Sequence, residues 1–273
     1  MFAIYMLISH TLSDFILQTD NTTKLKSELK LKGYFFHFFQ ILIPSSTLLL
    51  FIQFNSYKQI ITKISFIIVI HIIFDLFKEY ILILIKKIFT NKIKLIRISS
   101  ILLFLIDQFF HIIIILYFTQ NIKIEFNSIS YLLFNLLKNN SFDILNFKLI
   151  FIIIYISFSG AYFIPLILNL IYIRVSNYNS ILNDLLKNNL SDEEKSFIDE
   201  VKTGRYIGIF ERTLIVIFLF KNDLSAIGFI IAIKSLARFK MMDNKIFAEY
   251  YLLGTLLSVI YTFIIYNILY KII

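Results

Sequence analysis

Ile61-Thr-Lys-Ile-Ser-Phe-Ile-Ile-Val-Ile-His71-Ile-Ile-Phe-Asp75-Leu-Phe77 is an apolar run that carries a histidine and an aspartate four residues apart. The run falls within the range of about 17–25 apolar residues that crosses a bilayer as a helix. On a helix, residues four apart lie one above the other on the same face. The run therefore predicts a membrane helix with a polar pair aimed at a neighbour. The pattern recurs as His10-Thr-Leu-Ser-Asp14 and, reversed, as Asp107-Gln-Phe-Phe-His111, and His37 opens a further apolar run. All 4 histidines of the protein lie in these segments.

Composition extends this reading to the whole chain. Of 273 residues, 58% are hydrophobic and only 16% charged. A soluble domain of this size carries about 25% charged residues. The expected fold is all-α, a polytopic membrane helical bundle of about eight transmembrane helices. Their expected spans are 1–17, 34–54, 61–77, 98–119, 148–172, 206–220, 223–239 and 247–270. Two apolar pieces, Tyr80–Ile85 and Tyr131–Leu137, are too short to cross and are expected at the interface. The implied organisation is a four-span half at 1–119 that carries the His/Asp residues, an extracytoplasmic linker at 120–147, and a second four-span half at 148–273.

There is no cysteine, which excludes disulfides, thiolate metal sites and cysteine nucleophiles. The first apolar run lacks a basic leader and a small-residue cleavage pattern, so it reads as a retained helix. The net charge of +9 sits mainly in loops beside the spans. It is read as orientation by the positive-inside rule, not as a nucleic-acid surface. Loops 18–33 (Lys24, Lys26, Lys30, Lys32), 78–97 (Lys78, Lys86, Lys87, Lys92, Lys94, Arg97), 173–205 and 240–246 carry most of it. Those loops are expected in the cytoplasm, with both termini outside and membrane lipids as partners. In loop 173–205, Ser191-Asp-Glu-Glu194 matches a capping box, opening a short helix from 192 to about 202 that Gly204 ends. This loop is a candidate docking surface for a cytoplasmic protein.

At about 1.5 Å rise per residue, the four polar helices bring their side chains to one cytoplasmic half. Charged side chains inside a bilayer cost about 2.5–3.5 kcal/mol on insertion scales and normally face partners. His10, Asp14, His37, His71, Asp75, Asp107 and His111 are therefore candidate ligands of a divalent metal. Imidazole and carboxylate without thiolate suit zinc, manganese or iron. Asp75 and Asp107 are the candidate catalytic carboxylates, and Gln18 and Gln108 the candidate supports behind the ligands. The plainer reading is a set of His–Asp hydrogen bonds tying helices together.

A second polar group occupies Gly204-Arg-Tyr-Ile-Gly208-Ile-Phe-Glu211-Arg212 and Lys234-Ser-Leu-Ala-Arg238. Lys234 and Arg238 share a helix face and are candidates to bind an anion. The alternative is an ion pair within Glu211, Arg212, Lys234 and Arg238 that locks two helices. Gly208 and Gly228 read as positions of close helix packing.

His10-Thr-Leu-Ser-Asp14-Phe-Ile-Leu-Gln18, His37, His71-Ile-Ile-Phe-Asp75 and Asp107-Gln108-Phe-Phe-His111, with the two C-terminal motifs, resemble a bacterial integral-membrane family, domain of unknown function 3307. The resemblance implies a bacterial membrane protein and no particular activity. The His/Asp pattern is also similar, without a long shared motif, to that of membrane-bound metal-dependent hydrolases. The leading expectation is thus a metal-dependent hydrolase acting on a phosphate-containing lipid or amphiphile at the cytoplasmic leaflet. A metal-ion or proton-coupled transporter is the alternative, and the almost uninterrupted Ile, Leu and Phe of the outer halves argue against a through-path. A non-enzymatic scaffold is the third reading.

Overall fold

The computed structural model describes residues 2–53, 57–90, 92–120, 122, 128, 144–171, 192–243 and 245–272. Tyr131–Leu137 and Ser191 lie outside the described residues. The fold is all-helical, and the packing divides the chain into two units, residues 1–151 and 152–272.

In the first unit, α1 (Phe2–Thr11) runs into a π turn (Leu12–Leu17), followed by α2 (Asp20–Ser27) and α3 (Leu31–Ser46), which ends in a 3-10 turn (Thr47–Phe51). Then come α4 (Tyr57–Ile88) and α5 (Ile93–Thr119). α4 packs along α5, α1 lies against both α3 and α5, and α2 folds back on α3 and touches α4. Apolar side chains gain little from leaving lipid for protein, so close fit and interhelical hydrogen bonds hold such helices together. Met6 and Leu7 of α1 and Ile60 and Ile68 of α4 are fully buried. The Tyr5 hydroxyl donates to the Pro44 carbonyl at 2.6 Å and Ser9 Oγ to the same carbonyl at 3.3 Å. That carbonyl thus anchors α1 to α3.

The turn from α2 to α3 positions a side chain of the site. Thr19 caps α2 by accepting from the Thr22 amide. At the other end Lys30 N donates to Leu25 O at 3.0 Å, with Leu29 at φ 53°, a left-handed residue that closes the helix end. A Cβ on Gly33 would stand 2.8 Å from both Leu25 Cβ and Lys26 N. Only glycine lets α3 start this close to α2.

The second unit holds most of α6 (Ile144–Ile171), then α7 (Asp192–Phe220), α8 (Leu224–Ala237), a 3-10 turn (Phe239–Asp243) and α9 (Lys245–Ile272). α7 packs against α8 and α9, around buried Ile215, Leu219 and Ile227.

Among the described residues, five helical stretches are long and apolar enough to cross a membrane: Leu31–Phe51, Tyr57–Ile88, Ile93–Thr119, Phe147–Ile171 and Ala248–Ile272. Of the other three expected spans, Phe2–Leu17 and Leu224–Ala237 form shorter apolar helices, and 206–220 is the apolar end of α7. Tyr80–Ile85 is not a separate piece but the continuation of α4. The expected helix end at Gly204 is corrected as well, because α7 runs unbroken from Asp192 to Phe220. A Cβ at Gly204 would meet nothing within 4 Å. A lone glycine costs a helix only about 1 kcal/mol, which the apolar turns that follow readily offset.

Candidate metal centre

The first unit brings all seven predicted His and Asp side chains together. His10, His37, His71, Asp75, Asp107 and His111 are each buried, none more than 5% exposed, and the Asp14 side chain is 8% exposed. Asp14 sits in the π turn. Such turns widen the helix and re-aim side chains, often at functional sites. Its Oδ1 faces His71 Nε2 at 3.4 Å, His37 Nε2 at 3.6 Å and His10 Nδ1 at 3.7 Å. His37 Nε2 lies 3.1 Å from His71 Nε2 and 3.1 Å from Asp75 Oδ2, and His71 Nε2 lies 3.7 Å from Asp75 Oδ2. Asp14 Oδ1 and Asp75 Oδ2 thus each face both of the opposed nitrogens of His37 and His71. A tetrahedral cation with bonds of about 2.0–2.1 Å has ligand–ligand edges of about 3.3–3.4 Å. The five separations bracket that value.

Beside this tetrad stands a trio built from α4 and α5. His111 Nε2 lies 3.1 Å from Asp107 Oδ1 and 3.6 Å from Asp75 Oδ1. Asp75 therefore faces the tetrad with Oδ2 and the trio with Oδ1. Among the described residues, three groups could hold a metal ion: His37–His71–Asp75, Asp75–Asp107–His111, and His10–Asp14–His71.

Two lysines complete the site, and both were read in the sequence only as loop charges. Lys26, 3% exposed, reaches from α2 and donates to Asp75 Oδ2. Lys78 donates to Asp107 Oδ2 at 3.1 Å and lies 3.5 Å from Asp75 Oδ1. Lys78 had a signal: it follows Asp75 by three residues and His71 by seven, on one helical face. Lys26 had none beyond its place in a basic loop. Gln40 was missed too. It follows His37 by three residues, and its Oε1 lies 3.2 Å from His37 Nδ1. A proton on Nδ1 donated to Gln40 leaves Nε2 as the lone-pair nitrogen facing the tetrad.

Both predicted glutamines touch the centre. Gln18, with its amide turned to donate to the Asp14 carbonyl at 3.2 Å, accepts from Lys26 at 3.1 Å. Gln108 Nε2 donates to Asp107 Oδ2 at 3.4 Å. His10 stands between the groups, its ring centroid 5.2 Å from that of His71 and 5.0 Å from that of His111. Neither of its nitrogens has a hydrogen-bond partner.

In the second unit, Glu211 pairs with Lys234 at 2.6 Å. Lys234 therefore already has an internal anion, which removes the isolated cation that anion binding asked of it. Its Nζ lies 5.4 Å from the Tyr251 ring centroid, and the Arg238 guanidinium 5.9 Å from the same ring. Arg212, adjacent to Glu211 in sequence, turns elsewhere. It is 3% exposed and donates through Nε (3.1 Å) and Nη2 (2.8 Å) to the Ser157 carbonyl, and through Nη1 to Ser258 Oγ at 3.3 Å. Gly208 makes room for this guanidinium, since a Cβ there would lie 3.1 Å from Arg212 Nη1. Gly228 has nothing within 4 Å, so its expected role in close helix packing is corrected.

Fold and site together define an all-helical membrane protein with a buried His/Asp/Lys centre able to hold a metal ion. The chain belongs to the family described as "Protein of unknown function (DUF3307)", whose model matches residues 2–139. That match spans every residue of the centre and stops short of Glu211, Arg212, Lys234 and Arg238. No curated protein and no solved structure matches the chain.

Proposed function

We propose that Asp14, His37, His71 and Asp75 bind a divalent cation, zinc, manganese or iron(II), and that the centre hydrolyses a phosphate-containing lipid or amphiphile at the cytoplasmic leaflet of a bacterial inner membrane. The carrying observation is the tetrad. Two imidazole nitrogens 3.1 Å apart each face two carboxylate oxygens at 3.1–3.7 Å. Such a knot of lone pairs is costly when buried, and the Lys26 ammonium meets only the Asp75 oxygen of it.

Charge supports an anionic substrate. Asp14, Asp75 and Asp107 set three negative charges against the two ammonium groups of Lys26 and Lys78. With neutral imidazoles, one divalent cation turns that deficit of one into a surplus of one, which a phosphate ester would meet. In the hydrolysis, the water oxygen bonds to phosphorus and the ester P–O bond breaks. The leaving alkoxide takes up a proton while the attacking water gives one up. Of the two imidazoles outside the tetrad, His10, neither of whose ring nitrogens has a hydrogen-bond partner, is placed to accept it, a role more suited to it than to Asp75 or Asp107 in the ligand cluster.

The cytoplasmic placement rests on the loop charges. Lys26 and Lys78 turn into the centre, yet Lys24, Lys30 and Lys32 in loop 18–33 and Lys86, Lys87, Lys92, Lys94 and Arg97 in loop 78–97 keep the bias.

Elemental analysis of the full chain purified in detergent tests the reading, alongside phosphate release from anionic phospholipid or lipid-phosphate vesicles. At least one divalent ion per chain and metal-dependent release are expected, both lost in His71→Ala. Protein that holds no divalent metal after incubation with zinc, manganese and iron(II) overturns the proposal in favour of an ion-pair network. Metal binding with metal flux into proteoliposomes and no hydrolysis would make it a transporter.

A further inference from the structure

The tetrad leaves the trio unused, and the trio has its own peculiarity. Asp75 Oδ1, Asp107 Oδ1 and His111 Nε2 are all buried, and each lacks a hydrogen-bond partner. They are also the atoms that face one another, with His111 Nε2 at 3.1 Å from Asp107 Oδ1 and 3.6 Å from Asp75 Oδ1. Buried polar atoms are nearly always satisfied. Three unsatisfied atoms from one cluster, on two helices and aimed at one another, leave a void in the polar accounting that a cation fills.

The geometry points to a second cation at Asp75, Asp107 and His111, which makes the centre dinuclear with the Asp75 carboxylate as the bridge. This rests on the metal reading above and extends it. Asp75 offers Oδ2 to the tetrad and Oδ1 to the trio, the arrangement by which one carboxylate spans two ions. The two positions differ in kind. The tetrad supplies four protein ligands, whereas the trio supplies three and leaves a coordination position for water or a substrate oxygen. Ions about 3.5–4 Å apart clamp both the attacking and the leaving oxygen of a phosphoryl displacement. A mononuclear site has no equivalent of that clamp.

Lys78 stands beside the same arrangement, its Nζ 3.5 Å from Asp75 Oδ1. It donates to Asp107 Oδ2, the carboxylate oxygen turned away from the trio, at 3.1 Å, and Gln108 donates to that oxygen at 3.4 Å. Both hold Asp107 so that Oδ1 faces His111 and Asp75, as groups behind metal ligands commonly do. With two divalent ions, three carboxylates and two ammonium groups, the centre carries a surplus of three positive charges. A phosphate dianion and a hydroxide together cancel it.

Metal counting on the full chain in detergent, loaded with zinc or with manganese, separates the outcomes. Two ions per chain are expected for the wild type, and one for Asp107→Asn, an isosteric change that keeps the helix packing. One ion in the wild type overturns the second site while leaving the hydrolase reading standing. No ion overturns both. A second measurement needs no variant. Electron paramagnetic resonance of the manganese-loaded wild type should show the multiline spectrum of an exchange-coupled pair, and isolated six-line signals at full loading would reject the bridge.

Discussion

Asp75 lies against Lys26, His37, His71, Lys78 and His111 at once. A buried carboxylate with two ammonium partners is stable only while those partners remain, because removing one leaves charge unpaired in a medium that solvates it poorly. Lys26→Met is therefore expected to lower the unfolding temperature in chelator by an amount equivalent to about 3–5 kcal/mol, and added zinc should recover much of it. Equal melting of Lys26→Met and wild type in chelator would show that the ion pair supports nothing. Gln40 acts one bond further out, through the Nδ1 proton of His37. Gln40→Ala is expected to weaken metal binding by about 10–100-fold with little change in fold, which metal titration followed by circular dichroism would resolve. At this scale much was legible in the sequence. A histidine and an aspartate four apart in an apolar run announce a shared face, and His71, Asp75 and Lys78 continue it. Lys26 was not legible, since a lysine in a basic loop looks the same whether water or a carboxylate surrounds it.

At the scale of elements, two pairs of helices are held at distances only glycine allows. A Cβ on Gly160 would stand 2.7 Å from Arg212 Nε and 2.9 Å from Arg212 Cδ. The extra methyl would displace the guanidinium from the Ser157 carbonyl. Gly160→Ala should cost about 1–3 kcal/mol. Gly228→Ala meets open space and should instead stabilise α8 by about 0.5–1 kcal/mol. Thermal unfolding of the two variants in one detergent gives opposite shifts; shifts of the same sign would contradict the packing described. Gly33→Ala places a Cβ 2.8 Å from the Lys26 backbone nitrogen and 2.9 Å from the Leu25 carbonyl carbon. It should push α2 away from α3 and withdraw Lys26 from Asp75. Faster proteolysis between residues 20 and 33, which metal slows, is the expected signature. Hydropathy placed α3, α4, α5, α6 and α9 well. It placed the ends poorly, because Lys78 and Gly204 look like terminators by type while the intrahelical hydrogen bonds simply continue past them.

For the whole molecule, the loop charges predict an orientation, and the absence of cysteine makes that orientation directly testable. Lys94→Cys, at the start of α5, is expected to react with an impermeant maleimide only after the inner membrane is opened. Lys58→Cys, at the start of α4, should react in intact spheroplasts. The reverse pattern would place the centre near the outer leaflet and remove the case for a cytoplasmic substrate. Among the described residues, five helical stretches meet the length and apolarity a crossing needs. The short helices Phe2–Leu17 and Leu224–Ala237 carry apolar surface without that length, so hydropathy alone sets no single number of crossings.

The sequence by itself determined that this chain is helical and membrane-bound, and that three of its four histidines share a helical face with an aspartate. Those properties follow from local spacing and from the cost of burying charge in lipid, neither of which needs a neighbour to be known. Only the tertiary structure decided how the pairs combine: that Asp75 faces two groups with its two oxygens, that Lys26 and Lys78 are partners of the carboxylates, and that Lys234 answers Glu211 while Arg212 turns to Ser157. Spacing along a helix fixes which face a side chain occupies. It says nothing of which helix that face meets, and the chemistry of this centre lies in those meetings.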